Sequence, residues 1–219
     1  MRKWIVLTAV FLCLAVAGPA QATQLKIDNS GSLWGSLIDI TVGNTIHDSV
    51  GAGRFHTKVI TDDGKLLVDT FSYCVDINQS FSWNTPFSFE NTPMDHNYLL
   101  AAWRVYNYDP FIGVNKFIDY DNDNDRSMVA QALQLAVWDA VYGSISVGDA
   151  NDDGLVALYK KMIELDVINS SFTGSGFMLA ISEGSQDQLV AAPVPEPATM
   201  LLMGIGLLGL GVVGRKRIK

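Results

Sequence analysis

Two cysteines occur in the chain, Cys13 and Cys74, and Cys74 is the one whose surroundings suggest chemistry. It sits in Phe71-Ser72-Tyr73-Cys74-Val75-Asp76, a strand-like segment whose alternation puts Cys74 on one face with Ser72 and Asp76. A second residue answers to it. Gln134 lies in Ala132-Leu133-Gln134-Leu135-Ala136-Val137-Trp138, where helical spacing surrounds it with Ala130, Gln131, Val137 and Trp138. A carboxamide among apolar neighbours is costly to bury unless its polar atoms are satisfied or the group is consumed. A thiolate held against a carboxamide carbon consumes it by expelling ammonia and leaving a thioester, provided that water is excluded and the departing nitrogen is protonated. Trp103 and Trp138 are candidates for the dry wall of such a site. The plainer reading makes Cys74 a small buried hydrophobe and turns Gln134 to solvent. A cysteine hydrolase built from Cys74 and one of His47, His56 or His96 is the enzymatic alternative, but none of these histidines lies in a recognisable base motif.

The ends of the chain explain why Cys74 stands out. Arg2 and Lys3 precede an apolar run from Trp4 to Ala17, followed by Gly18, Pro19 and the small-x-small triplet Ala20-Gln21-Ala22. That order is a secretory signal peptide over residues 1–22, with the mature start near Thr23 and signal peptidase as the processing enzyme. Cys13 leaves with it. Cys74 is then the lone thiol of a domain bound for an oxidising compartment, where cysteines are normally paired.

At the other end, residues 191–219 form a linker and tail. Pro195-Glu196-Pro197 precedes an apolar segment from Ala198 to Gly214, and Arg215, Lys216, Arg217 and Lys219 follow it. The segment is long enough to cross a bilayer, and the basic cluster holds its end on the cytoplasmic side. The order resembles the PEP-CTERM sorting signal of Gram-negative bacteria. That resemblance implies recognition by an exosortase-type membrane enzyme, a transient tether in the inner membrane, removal of the tail, and delivery to the cell envelope or extracellular matrix.

Between the ends lies one domain, residues 23–190, long enough for a real core. The whole chain carries a formal net charge of −8, and without its two ends nine basic residues stand against 22 acidic ones, about −13. So acidic a domain does not bind nucleic acid by counterion release. Strand-like alternation covers Leu33–Val42, Arg54–Ile60 and Leu66–Val75, with a turn at Asp62-Asp63-Gly64. Helical periodicity follows over Asn97–Tyr106, Asp125–Tyr142 (with Asp125 as N-cap) and Leu155–Leu165, before alternation returns from Gly174 to Val190. The expected class is α+β, an antiparallel sheet or barrel lobe with an inserted helical lobe.

Asp149-Ala150-Asn151-Asp152-Asp153-Gly154 reproduces the first half of a calcium loop, with Asp149, Asn151 and Asp153 as candidate ligands. The position of the closing acid is Lys160, and Asp149 or Asp152 serves equally as a helix cap. The run from Asp119 to Asp125 reads as a solvated acidic loop. Calcium is therefore an optional ligand, and the chemistry at Cys74 needs no cofactor.

Over Leu66 to Gly143 the chain resembles the thioester domains known from surface adhesins of Gram-positive bacteria. The resemblance rests on Tyr73-Cys74-Val75-Asp76, on Leu133-Gln134-Leu135-Ala136-Val137-Trp138 in place of that family's Thr-Gln-x-Ala-Ile-Trp, and on Ala101-Ala102-Trp103. It implies a Cys74–Gln134 thioester supported by Tyr73, Trp103 and Trp138, which a partner's amine or hydroxyl attacks in a single turnover. Such a protein is a covalent tether rather than an enzyme. The alternative is a non-covalent structural protein of the exopolysaccharide matrix, with an inert Cys74.

Overall fold

The computed structural model describes residues 25–28, 33–61, 63–82, 85–90, 94–113, 122–148, 153–165 and 171–191. The segment expected to be a signal peptide, the apolar tail from Ala198 onward, Asp149 and Asn151 lie outside them. The described residues form an α+β fold, an antiparallel sheet with a separate helical region, as the alternation and periodicity predict. Eight strands follow the chain as β1 (Leu25–Asp28), β2 (Leu33–Val42), β3 (Thr45–Thr61), β4 (Leu66–Cys74), β5 (Pro86–Glu90), β6 (Ile145–Val147), β7 (Phe177–Ile181) and β8 (Gln188–Ala191). They lie in the order β1-β5-β7-β8-β4-β3-β2-β6, and β1 also pairs with β3. Helices α1 (His96–Tyr108) and α2 (Asp123–Tyr142) are inserted between β5 and β6, and α3 (Asp153–Glu164) between β6 and β7.

β3 begins well before the predicted Arg54. Gly51 and Gly53 interrupt its apolar alternation, yet Gly53 faces Gly35 across the β2–β3 ladder. The strands approach so closely there that a Cβ on Gly35 would lie 1.9 Å from the Ala52 carbonyl oxygen. Only glycine fits that crossing. The register then shifts between Ile38 and Ile40, and Ser49 takes a φ of 54° opposite this bulge, its N–H donating to Asp39 Oδ1 at 2.7 Å.

α2 is the central helix. Its residues from Val129 to Ala140 are nearly all buried, because α1 and α3 pack on it from the helical side and β2, β3 and β4 from the sheet. Its N-cap is Asn122, whose side chain accepts from the N–H groups of Asn124 and Asp125; Asp125 instead lies in the first turn and accepts from Asn122 Nδ2. The expected cap thus sits three residues too far along, since Asp123 and Asp125 both lie in the first turn, favourably placed at the positive end of the helix dipole. Gly143, at φ 86°, ends it. α3 turns Leu155, Leu158, Tyr159 and Met162 inward, the face its periodicity predicts. Arg104 of α1 ties the three helices together, reaching Asp139 with both terminal nitrogens at 3.2 Å, while Tyr159 donates to the same carboxylate at 3.0 Å.

Candidate functional site

Cys74 is the last residue of β4, and its main chain and its side chain look in different directions. Toward β8 the ladder pairs Tyr73 with Leu189 and Cys74 with Gln188. The N–H of Val75 donates to Asp187 O at 3.0 Å. By the alternation of an antiparallel ladder, Cys74 and Gln188 are therefore a non-hydrogen-bonded pair, the kind whose side chains come closest. Their main-chain groups point the other way, toward β3. The β3–β4 ladder stops at Phe55 and Ser72, so β3 offers Cys74 no partner.

Gln134 of α2 fills that gap. Its Oε1 accepts from the Cys74 N–H at 3.0 Å, and its Nε2 donates to the Cys74 carbonyl at 2.8 Å. The predicted pair is thus brought together, but through the Cys74 main chain, and the fully buried carboxamide is satisfied as it stands.

The sulfur has other partners. Gln188 Nε2 donates to Cys74 Sγ at 2.9 Å, and the thiol donates to Gln186 Oε1 at 2.8 Å. Behind Gln188 runs a short buried chain of hydroxyls, with Ser72 Oγ donating to Gln188 Oε1 at 3.0 Å and lying 2.7 Å from Thr57 Oγ1. Ser72 shares the face of Cys74, as the alternation predicts. Asp76 lies beyond the end of the strand, where its carboxylate accepts from Asn78 N–H and from the Tyr142 hydroxyl.

Burial pushes the Cys74 thiol up to about 12; the Gln188 donor opposes this and the Asp76 charge adds to it. At neutral pH the sulfur keeps its proton. The predicted wall residues are all core: Tyr73, Trp103 and Trp138 belong to the same buried cluster as Cys74. Tyr73, one residue away along the strand, turns to the opposite face and donates to Asp109 Oδ2 at 2.8 Å. Trp103 meets Tyr108 edge to face at 5.7 Å. Trp138 is fully buried, and its Nε1 has no hydrogen-bond partner among the described residues.

Gln186 and Gln188 escaped the sequence reading. Their signal was faint: two glutamines at alternate positions just before an apolar strand, visible only once β8 is known to lie against β4. His56 pairs with Asp69 at 2.6 Å on the exposed side of the β3–β4 ladder. Asp153 opens α3 and is exposed, and its companions in the candidate calcium loop lie outside the described residues.

Comparison with known proteins bears on the ends and the fold separately. Residues 193–217 match the PEP-CTERM protein-sorting motif, a span that includes Pro195, Glu196 and Pro197. This motif implies an exported, cell-envelope-associated protein recognised by an exosortase-type sorting system. No curated protein matches the chain. Among solved structures, the chain is similar to the N-terminal thioester domain of a surface protein from Clostridium perfringens. The identity is 12%, the TM-score 0.45, and the match covers 78% of this chain and 100% of that one.

Proposed function

We propose that the exported domain closes an internal thioester at Cys74 and uses it to attach covalently to an amine or hydroxyl of a surface or matrix partner. The observation that carries this reading is the 2.9 Å contact between Cys74 Sγ and Gln188 Nε2. It favours Gln188 as the acyl donor. Gln134, the donor that the helical motif suggests, has both amide atoms engaged by the Cys74 main chain and acts here as the group that fixes the strand end.

In the reaction, Cys74 Sγ bonds to Gln188 Cδ and the Cδ–Nε2 bond breaks. Ser72 Oγ already donates to the Gln188 carbonyl oxygen, where negative charge grows in the tetrahedral intermediate. The thiol proton passes to Nε2, and ammonia leaves. In the resting geometry that proton is donated to Gln186 Oε1, and it reaches Nε2, 2.9 Å from Sγ, once the thiol turns away from Gln186 as the C–N bond breaks. Full burial then keeps water from the product. An incoming amine breaks the thioester, forms an amide with Gln188 Cδ and returns a proton to the sulfur. The chemistry ends there after a single turnover.

Intact mass of the purified chain tests the proposal. An intact thioester makes the protein lighter by one ammonia, and Cys74→Ala and Gln188→Ala both restore full mass, while Gln134→Ala that folds retains the deficit. A deficit that survives Gln188→Ala but vanishes in Gln134→Ala returns the donor role to the helix. Full mass in the unaltered chain, with Cys74 freely alkylated after unfolding, overturns the thioester and leaves the non-covalent matrix protein.

A further inference from the structure

Among the described residues, three side chains hydrogen-bond to Cys74: Gln134, Gln186 and Gln188. Gln134 and Gln188 are fully buried, and Gln186 alone of the three is partly exposed. Gln186 also lines a cleft of about 430 Å³ whose walls include Trp138 and the rings of Phe55 and Phe81, with Asp48 and Asn78 at its rim. The two phenylalanine rings stack at 5.9 Å. One side chain therefore has solvent-filled space on one side and the buried sulfur on the other.

We infer that this cleft is the route by which a nucleophile reaches Cys74, and that the Gln186 side chain is the barrier it displaces. The inference rests on the thioester reading for its purpose, though not for its geometry. The main chain at Gln186 is pinned by bonds that outlast the loss of ammonia, since its N–H donates to Ser80 O at 3.2 Å and the carbonyl of the next residue, Asp187, accepts from Val75 N–H at 3.0 Å. Opening the route therefore takes a rotamer change rather than movement of the strand. Once the sulfur is acylated it has no proton to donate, so the 2.8 Å bond that holds Gln186 Oε1 in place is lost. Closing the thioester thus loosens the barrier in front of it. Trp138, whose buried Nε1 has no hydrogen-bond partner among the described residues, is one of the residues that line the same cleft.

The test uses the full chain and the rate at which Cys74 reacts, followed by intact mass. Methylamine is the probe if the chain shows the ammonia deficit, and iodoacetamide if it does not, so absence of the deficit overturns the thioester alone. Gln186→Ala is expected to speed modification several-fold by removing the barrier. Ser80→Trp, at an exposed position lining the cleft, is expected to slow it by filling the space while keeping the main-chain carbonyl that anchors Gln186. A rate unchanged in either variant overturns the access route.

Discussion

The carboxamide of Gln134 and the main chain of Cys74 complete a ring of two hydrogen bonds, at 3.0 and 2.8 Å, where a strand neighbour would otherwise stand. Removing the carboxamide leaves a buried N–H and a buried carbonyl unpaired. In a Cys74→Ala background, where no thioester enters the balance, Gln134→Ala should cost roughly 2–4 kcal/mol at neutral pH by urea unfolding. A loss under about 0.5 kcal/mol, the scale of an ordinary surface change, would mean that the ring does not hold the strand end.

On the thioester reading, Ser72 acts on rate as well as on the buried hydrogen-bond chain it shares with Thr57 and Gln188. Its hydroxyl polarises the Gln188 carbonyl, so Ser72→Ala should slow the appearance of the ammonia deficit after refolding by roughly tenfold or more, on the scale of losing one donor to a developing oxyanion. Time-resolved intact mass measures this, and equal rates in the two proteins would remove Ser72 from the mechanism.

Asp109 is the anchor beneath β4. With its side chain fully buried, it accepts from Arg54 Nε at 2.9 Å, Tyr73 OH at 2.8 Å, and the N–H groups of Phe111 and Ile112 at 2.9 and 3.0 Å. Arg54 is itself held over the ring of Phe71 at 3.8 Å. Asp109→Ala strands the part-buried Arg54 guanidinium and the buried Tyr73 hydroxyl together and should cost about 3–5 kcal/mol. Tyr73→Phe gives up one of the four bonds and should cost about 1–2 kcal/mol. Thermal melts would rank the two variants, and the reverse order would displace Asp109 from this role.

Tyr142 makes stability depend on alkali. Its hydroxyl donates to Asp76 Oδ1 at 3.1 Å and accepts from Ile77 N–H at 3.0 Å. Burial pushes its pKa from 10.0 up to about 12; the Ile77 donor opposes this and the Asp76 charge adds to it. The folded state thus holds the phenol proton after the unfolded chain has released it. The contribution is complete below about pH 10 and is lost as pH rises from 10 toward 12. Urea midpoints across that window should fall less steeply in Tyr142→Phe, and parallel curves would exclude the residue.

Local pattern made much of the scaffold legible. β2 matches its alternating run at both ends, and α3 buries the four residues that its period selects. The first part of β3 was hidden because Gly51 and Gly53 break its apolar alternation, while the close approach of Gly53 to Gly35 is a property of two strands that no single-strand pattern encodes. Asn122 was passed over as a cap because the acids after it are equally good in the first turn of a helix. At the site, the thiol and the helix facing it were both visible, since a polar group in an apolar helix is unusual wherever the helix packs. Which amide meets the sulfur depended on strand pairing across more than a hundred residues, and Gln188 carries no local mark of its partner.

The position of β8 at the end of the domain has a consequence in time. β8 ends at Ala191, just ahead of the sorting motif that begins at residue 193, so in a chain exported N-terminus first, as the expected signal peptide implies, Cys74 would be outside long before Gln188. On the thioester reading, the electrophile does not ripen until virtually the whole domain has crossed. A chain stalled midway carries a harmless thiol, and the warhead is armed only at the last step before the protein is handed on.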